Sequence, residues 1–309
     1  MSPQPIIQPL STTQRSFFFR FLIVVFVISV PVLFLYSTGY RLSNFTQLVK
    51  TGGMYVGAER SGAEIYINGE LVRETGTFRR AFFVQDLDPA TYTIEVTKDG
   101  YYPWGKTLPV YAHIVTEAQA FNIPKEPLFT LIPATLTPIQ QGPVTAADVL
   151  KNPVYEEIHA VFATTTPVSA PALTGASSTS ALAQLEDEVA TSTKELRGMK
   201  LIDVGTQVVA EWTRSRASIP FYFCTQERGC VDEIVLNTKD DKASHFDFFP
   251  GSSDLVIVTL SDGVYVTEID NRSGQNIQPL YEEKGADFRV IDGSIYIETN
   301  VGALYEVEV

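Results

Sequence analysis

Residues 17–36 read FFFRFLIVVFVISVPVLFLY, twenty residues in which Arg20 is the single charge. At about 1.5 Å of rise per residue, a helix of that length covers roughly 30 Å, the depth of a bilayer's hydrocarbon core. The run predicts one transmembrane helix at 17–36, with the lipid bilayer as its partner. Arg20 is near enough to the end to snorkel toward headgroups, and Pro31 is tolerated because a membrane helix repairs one lost bond locally. A cleaved signal peptide is the rival reading, with Arg15 and Arg20 as its charged region and Ser37 and Gly39 as small residues before a cut. The run exceeds the usual apolar stretch of about 7 to 15 residues, which favours a retained signal anchor. No cysteine follows the run, so a lipoprotein is not expected.

Basic residues lie on both sides, Arg15 and Arg20 before and Arg41 and Lys50 after, so the positive-inside bias is slight. The short front tail, residues 1–16, and the long acidic remainder fit an anchor with a cytoplasmic N-terminus and an extracytoplasmic C-terminal body at the cell membrane. The chain has 309 residues, 36 acidic and 23 basic, for a formal charge of −13. Setting aside Arg15, Arg20, Arg41 and Lys50 leaves 19 basic residues against all 36 acids, which begin at Glu59, a formal −17. Such a body lacks the clustered Lys and Arg that neutralise phosphates, which argues against nucleic acid as a partner. Two cysteines and three histidines make no zinc framework, and no P-loop or dinucleotide fingerprint is present, so no metal or cofactor is expected.

After a stem at 37–52, residues 53–123 show short alternating runs, AEIYING, TYTIEVTKDGYY and KTLPVYA, each ended by Gly, Pro or Asp, as half-buried strands are. Asn68-Gly69 suits a tight hairpin turn because both residues tolerate positive φ. Asp88-Pro89-Ala90 marks a second turn. Gly62-Ala63 stands before the strand at 64–67, Leu87-Asp88-Pro89-Ala90-Thr91-Tyr92 is similar to an L-x-P-G-x-Y pattern, and Lys98-Asp99-Gly100-Tyr101 is similar to K-x-G-Y. In these motifs and their order the segment resembles a PEGA domain. The motif positions carried over are Gly62, Ala63, Asn68, Gly69, Pro89, Tyr92, Gly100 and Tyr101. Arg60-Ser61 departs from the family's Pro-Glu, and Ala90 from its glycine, which implies negative φ there. The stem residues 37–42, STGYRL, with Thr51-Gly52-Gly53, resemble the membrane-proximal part of PEGA-containing membrane proteins. The resemblance implies a small β-sandwich-like module of the surface, a spacer or adhesive unit rather than a catalytic one.

Prolines at 124, 127, 133 and 138 predict a connector over 124–152. Residues 153–309 then carry many short strand-like runs, including 157–162, 199–204, 207–213, 220–224, 231–237, 245–249, 255–260, 264–269, 288–291, 294–299 and 303–307. An Ala/Ser/Thr/Pro-rich insertion at 164–193 has too few large apolar residues to offset its ordering entropy and is expected to be disordered, with a short helix conceivable at 181–189. From His245 on, an aromatic strand, a P-x-G/S-D turn, an apolar strand and a D-G turn resemble β-propeller blades of the WD40 or YVTN kind. Some eleven or twelve strands make about three blades, fewer than the four to eight of closed propellers. Three ways out stay open: strands added from 128–150, a ring shared by two chains as a homo-oligomer, or an open array. The expected fold class is mainly β, with one N-terminal transmembrane helix, a PEGA-like β-sandwich and a partial propeller-like antiparallel domain.

Cys224 and Cys230 bracket TQERG at a strand-pair tip, a spacing that permits a structural disulfide in an exported body. No redox C-x-x-C exists. His113, His159 and His245 sit in separate segments with no G-x-S-x-G elbow, so a serine triad lacks support. Asp86 with Asp88 and Asp240 with Asp241 lie in turn contexts where Asp is ordinary. Asp270-Asn271-Arg272-Ser273-Gly274 is oxygen-rich yet lacks EF-hand spacing, and reads as an inter-strand turn. Glu186-Asp187-Glu188 reads as a solvated charge run. Tyr101, Tyr102 and Trp104 could face a ligand as a sugar-stacking platform, or pack the core as strand aromatics commonly do. No catalytic residue is expected. The chain reads as a non-catalytic envelope protein with structural or binding duties toward a protein or glycan; the alternative is an extracytoplasmic ligand sensor or a carbohydrate-binding or carbohydrate-acting ectodomain.

Overall fold

The computed structural model describes residues 11–43, 47–136, 150–164 and 193–309. These form two compact units, one made of Met1–Gly57, Ala81–Tyr92 and Leu108–Gln119, the other of Ala58–Arg80, Thr93–Thr107 and Ala120–Val309.

The first unit begins with helix α1, Thr12–Ser37, which carries Pro31 inside it. Ser11 caps it: its Oγ accepts from the Gln14 amide while the Gln14 side chain accepts from the Ser11 amide, satisfying two N-terminal donors reciprocally. No residue of α1 is buried, so the apolar run 17–36, with Arg20 as its single charge, faces outward along its length. By length and composition it is a candidate membrane span, and a signal sequence passes the same test. The stem is a hairpin of β1, Tyr40–Ser43, with β2, Gln47–Lys50. Arg41 stacks on the Tyr36 ring at 3.7 Å, donates to the Tyr36 carbonyl and pairs with Asp86 at 2.8 Å. Three further strands form a separate three-stranded sheet; β3 is Gly52–Ala58, β6 is Ala81–Leu87 and β9 is Val115–Ala120, with β3 central.

Strands β4, Glu64–Ile67, β5, Glu70–Glu74, β7, Ala90–Thr97, and β8, Trp104–Val110, form a four-stranded sheet in the order β5-β4-β7-β8. Asn68 and Gly69 turn β4 into β5 at φ 50° and 81°, as the Asn-Gly signal requires. Ala90 has no positive φ, in keeping with its replacement of glycine.

Residues 124–152, expected as a connector, instead contribute strands. β10, Leu128–Ile132, pairs antiparallel with the last strand of the chain, and β11, Thr135–Leu136, pairs with β12, Leu150–Lys151. The run 157–162, expected as a strand, is part of helix α2, Pro153–Thr164. Its start is fixed by Asn152, whose Oδ1 accepts from the Val154 amide, and by Pro153, whose missing N–H is no loss in the first turn. Tyr155, Ile158 and Phe162 recur at helical spacing, and Ile158 and Phe162 pack on Leu304.

The remaining strands build three four-stranded antiparallel sheets. The first is β13, Thr193–Leu196, β14, Met199–Asp203, β15, Val208–Trp212, and β18, Glu233–Val235, in that order. Between β15 and β18 the run 220–224, expected as a strand, is a 3-10 turn at Phe221–Phe223, followed by the two-residue ladder of β16, Cys224–Thr225, with β17, Gly229–Cys230. The second sheet is β19, His245–Phe248, β20, Leu255–Leu260, β21, Gly263–Glu268, and β22, Ile277–Tyr281. The third is β10 with β25, Leu304–Glu308, β24, Ser294–Glu298, and β23, Asp287–Ile291. One apolar cluster, with Leu201, Ala210, Ile234, Phe246, Val256 and Val258, joins the first two sheets. The molecule is mainly β, with several antiparallel sheets and one N-terminal apolar helix. The insertion at 164–193 lies outside the described residues except for its two ends, and so do residues 181–189 and Glu186-Asp187-Glu188.

Candidate functional site

β8 sends Trp104, Lys106, Leu108 and Val110 inward, all buried. A buried ammonium is unstable without partners. Lys106 Nζ is 3.1 Å from Glu268 Oε1 and 3.6 Å from Asp270 Oδ1, and it donates to the carbonyls of Asp270, Arg272 and Gly274 at 2.6, 3.0 and 2.8 Å. Three carbonyls match an ammonium's three protons, and Glu268 balances its charge. The carbonyls converge because the loop after β21 closes on itself. Asp270 accepts from the Arg272 amide at 2.9 Å and holds the Arg272 guanidinium at 2.8 Å, and Ser273 and Gly274 take positive φ. The oxygen-rich loop 270–274 is thus a cation site occupied by the chain's own lysine.

Glu268, 2% exposed, accepts from Trp104 Nε1 at 3.1 Å and from the Asn276 amide and Nδ2, both at 2.7 Å. Burial pushes its carboxyl above the usual range, and the Lys106 charge and these donors act in the opposite sense. Gln278 extends the joint: its Oε1 accepts from the Ile123 amide at 2.7 Å, and its Nε2 donates to the Pro103 and Phe121 carbonyls at 3.2 and 3.3 Å. Lys106, Glu268, Asn276 and Gln278 were not singled out from the sequence. The available signal was a lysine standing in the apolar phase of KTLPVYA, between Trp104 and Leu108.

The three aromatics do not form a shared platform, and Trp104 corrects the ligand-facing expectation. Its ring is fully buried and its only polar atom is bonded to Glu268, so a sugar cannot stack on it. Tyr101 is held under Lys98 and Arg60, with the cations 4.6 and 5.7 Å from the ring centre. It borders a cavity of about 540 Å³ lined also by Glu64, Glu74, Glu95 and Asp99. Tyr102 borders a different cavity of about 350 Å³, with Lys125, Phe129 and Tyr281.

Cys224 and Cys230 face each other across the β16–β17 ladder and are joined as a disulfide. Of the histidines, His113 occupies a tight turn at φ 63° in the first unit, while His159 on α2 pairs with Glu298 at 2.7 Å. His245 lies on β19 against the Phe288 ring. Burial, with Arg289 adding to it, lowers its pKa to about 4. Asp86 serves Arg41, and Asp241 accepts from the Ser261 amide at 2.7 Å. The motif residues of 53–123 do structural work. The Gly62 and Ala63 amides donate to the carbonyl and hydroxyl of Thr75, and the Tyr92 hydroxyl donates to the Asp88 carbonyl at 2.9 Å. Among the described residues, no group of three or more His, Cys, Asp or Glu converges as metal ligands.

A family profile described as the PEGA domain matches residues 51–123, so a PEGA domain is present there. Among solved structures the chain is similar to an AfRom2 CNH domain, at 12% identity and a TM-score of 0.24 over 78% of this chain and 67% of that one. At that score the likeness defines nothing further. No curated protein matches the chain.

Proposed function

We propose that this chain is a non-catalytic, single-pass membrane protein of the cell envelope, with a cytoplasmic N-terminus and an extracytoplasmic β body that does structural or binding work toward a protein or glycan. The observation that supports it most is the pairing of α1, whose apolar run at 17–36 is unburied, with a PEGA domain that follows it closely in the chain. A helix with a long apolar run that no protein core covers is at home in lipid, where its backbone groups are bonded internally. Three of the charged groups support the non-catalytic part, since an internal partner occupies each: Lys106 is held by Glu268, Asp270 by Arg272 and Asp86 by Arg41. The Cys224–Cys230 disulfide fits an oxidising compartment.

The test is labelling of Cys224 and Cys230 in intact cells by a membrane-impermeant thiol reagent, with and without an impermeant reductant. Labelling that needs reduction but not permeabilisation is the expected outcome. Labelling that needs permeabilisation and no reduction would put the body in the cytoplasm and overturn the envelope role.

A further inference from the structure

The segment between β5 and β6, residues 75–80, ends in Phe78-Arg79-Arg80, and Phe78 is 99% exposed. An isolated exposed apolar residue is ordinary, but a whole aromatic ring held off the body beside two guanidiniums is not. Its base is fixed. Thr75 is buried, with its hydroxyl accepting from the Ala63 amide and donating to the Arg60 carbonyl, both at 2.8 Å, and the Gly76 amide closes a turn on the Arg79 carbonyl at 3.0 Å. Arg79 is exposed, and Arg80, also exposed, lies within Coulombic reach of Glu59.

We propose that this loop is a second membrane contact, in which the Phe78 ring enters the headgroup boundary of an anionic bilayer and Arg79 and Arg80 meet lipid phosphates. The proposal rests on α1 as a membrane anchor, because that helix keeps a bilayer at high local concentration around the body. Two features favour lipid over another protein. Ring and cations are adjacent on one tip, which is how interfacial segments divide between acyl boundary and phosphate. The chain carries a large negative excess that anionic lipid repels, so an exposed basic tip offers a favourable approach.

The test uses the full chain with Phe78→Trp, reconstituted into vesicles of phosphatidylcholine and phosphatidylglycerol whose acyl chains carry bromine near the headgroup end. Flotation in carbonate reads the anchor, and quenching of the added tryptophan emission, relative to the parent with Trp104 and Trp212 alone, reads the loop. Bromine should quench the added emission in these vesicles, and quenching should weaken in phosphatidylcholine alone. Replacing Arg79 and Arg80 by Gln should weaken the contact about fivefold for each arginine lost. Flotation with unquenched, red emission would overturn the loop contact and leave the anchor standing. Flotation with unquenched but blue-shifted emission would place the ring against protein, either this chain or a second copy of it, which also overturns the contact. Failure to float would remove the anchor and the proposal together.

Discussion

Lys106 stands in the apolar phase of a strand, and its fully buried ammonium is held by three carbonyls and the Glu268 carboxylate, with Asp270 a little farther off. Breaking such a pair from one side costs more than the pair contributes, because the abandoned charge stays buried. Lys106→Met is expected to destabilise the fold by about 3 to 5 kcal/mol, and adding Glu268→Gln to recover part of it. Denaturant unfolding reads both, and a single-variant loss below about 1 kcal/mol would show that Glu268 is not stranded. His245 gives a pH-dependent counterpart. Its folded pKa is lowered to about 4 from 6.5, chiefly by burial, so the unfolded chain takes up a proton between those values that the folded chain refuses. Its contribution is intact above pH 6.5 and is lost as pH falls toward 4, on the order of 3 kcal/mol in all. The unfolding midpoint of His245→Gln, followed against pH, should lose less across that window than the parent; parallel curves would contradict the assignment. The turn residues were legible, since Asn68-Gly69 and Ala90 follow from local sterics alone. The ionic joint was not. Only the phase of Lys106 hinted at it, and its partners lie more than 160 positions away.

At the scale of elements, the sequence is least legible where local signals conflict. Residues 157–162 are rich in apolar and β-tolerant types, but Asn152-Pro153 starts a helix and Tyr155, Ile158 and Phe162 complete a helical stripe, so α2 wins. β22 contains Pro279, which removes a ladder donor; it is an edge strand of its sheet, where that is tolerated. β10 is bracketed by prolines and has no nearby partner; its pairing of Leu128 with Glu308 joins residues far apart in the chain, and no local pattern encodes such a pair. Phe162 is 7% exposed and anchors α2 to Leu304. Phe162→Ala should cost about 3 kcal/mol if α2 is part of the folded body. A change under about 0.5 kcal/mol in thermal or denaturant unfolding would make α2 a loosely attached helix. The β16–β17 ladder offers a smaller effect. Its disulfide closes a loop with a separation of only six residues, so reduction should lower stability by about 2 kcal/mol and leave the three four-stranded sheets folded. Far-UV spectra before and after reduction check this, and loss of β signal would make the bridge essential.

On the scale of the molecule, the second unit combines segments that the sequence divides among two domains and a connector. Ala58–Arg80 and Thr93–Thr107 belong with the three four-stranded sheets, and the reason is chemical. Among the described residues, the Trp104 indole N–H and the Lys106 ammonium find their partners on Glu268 and the 270–274 loop, and the Gln278 side chain finds its partners on the backbone of Pro103, Phe121 and Ile123. Opening the joint would break the bonds of a lysine, a glutamate and an amide at once, each a net loss on the order of a buried hydrogen bond. A unit held this way should unfold cooperatively. Native-state hydrogen exchange should give the amides of Thr93–Thr97 on β7 and those of β20 and β21 the same opening free energy. Lys106→Met should lower both groups by the same amount, because the stranded charge penalises every state in which the joint is closed. If the β7 amides opened at lower free energy while β20 and β21 kept theirs in the variant, the joint would be a contact between independently folded parts, and this segment would be a separable spacer.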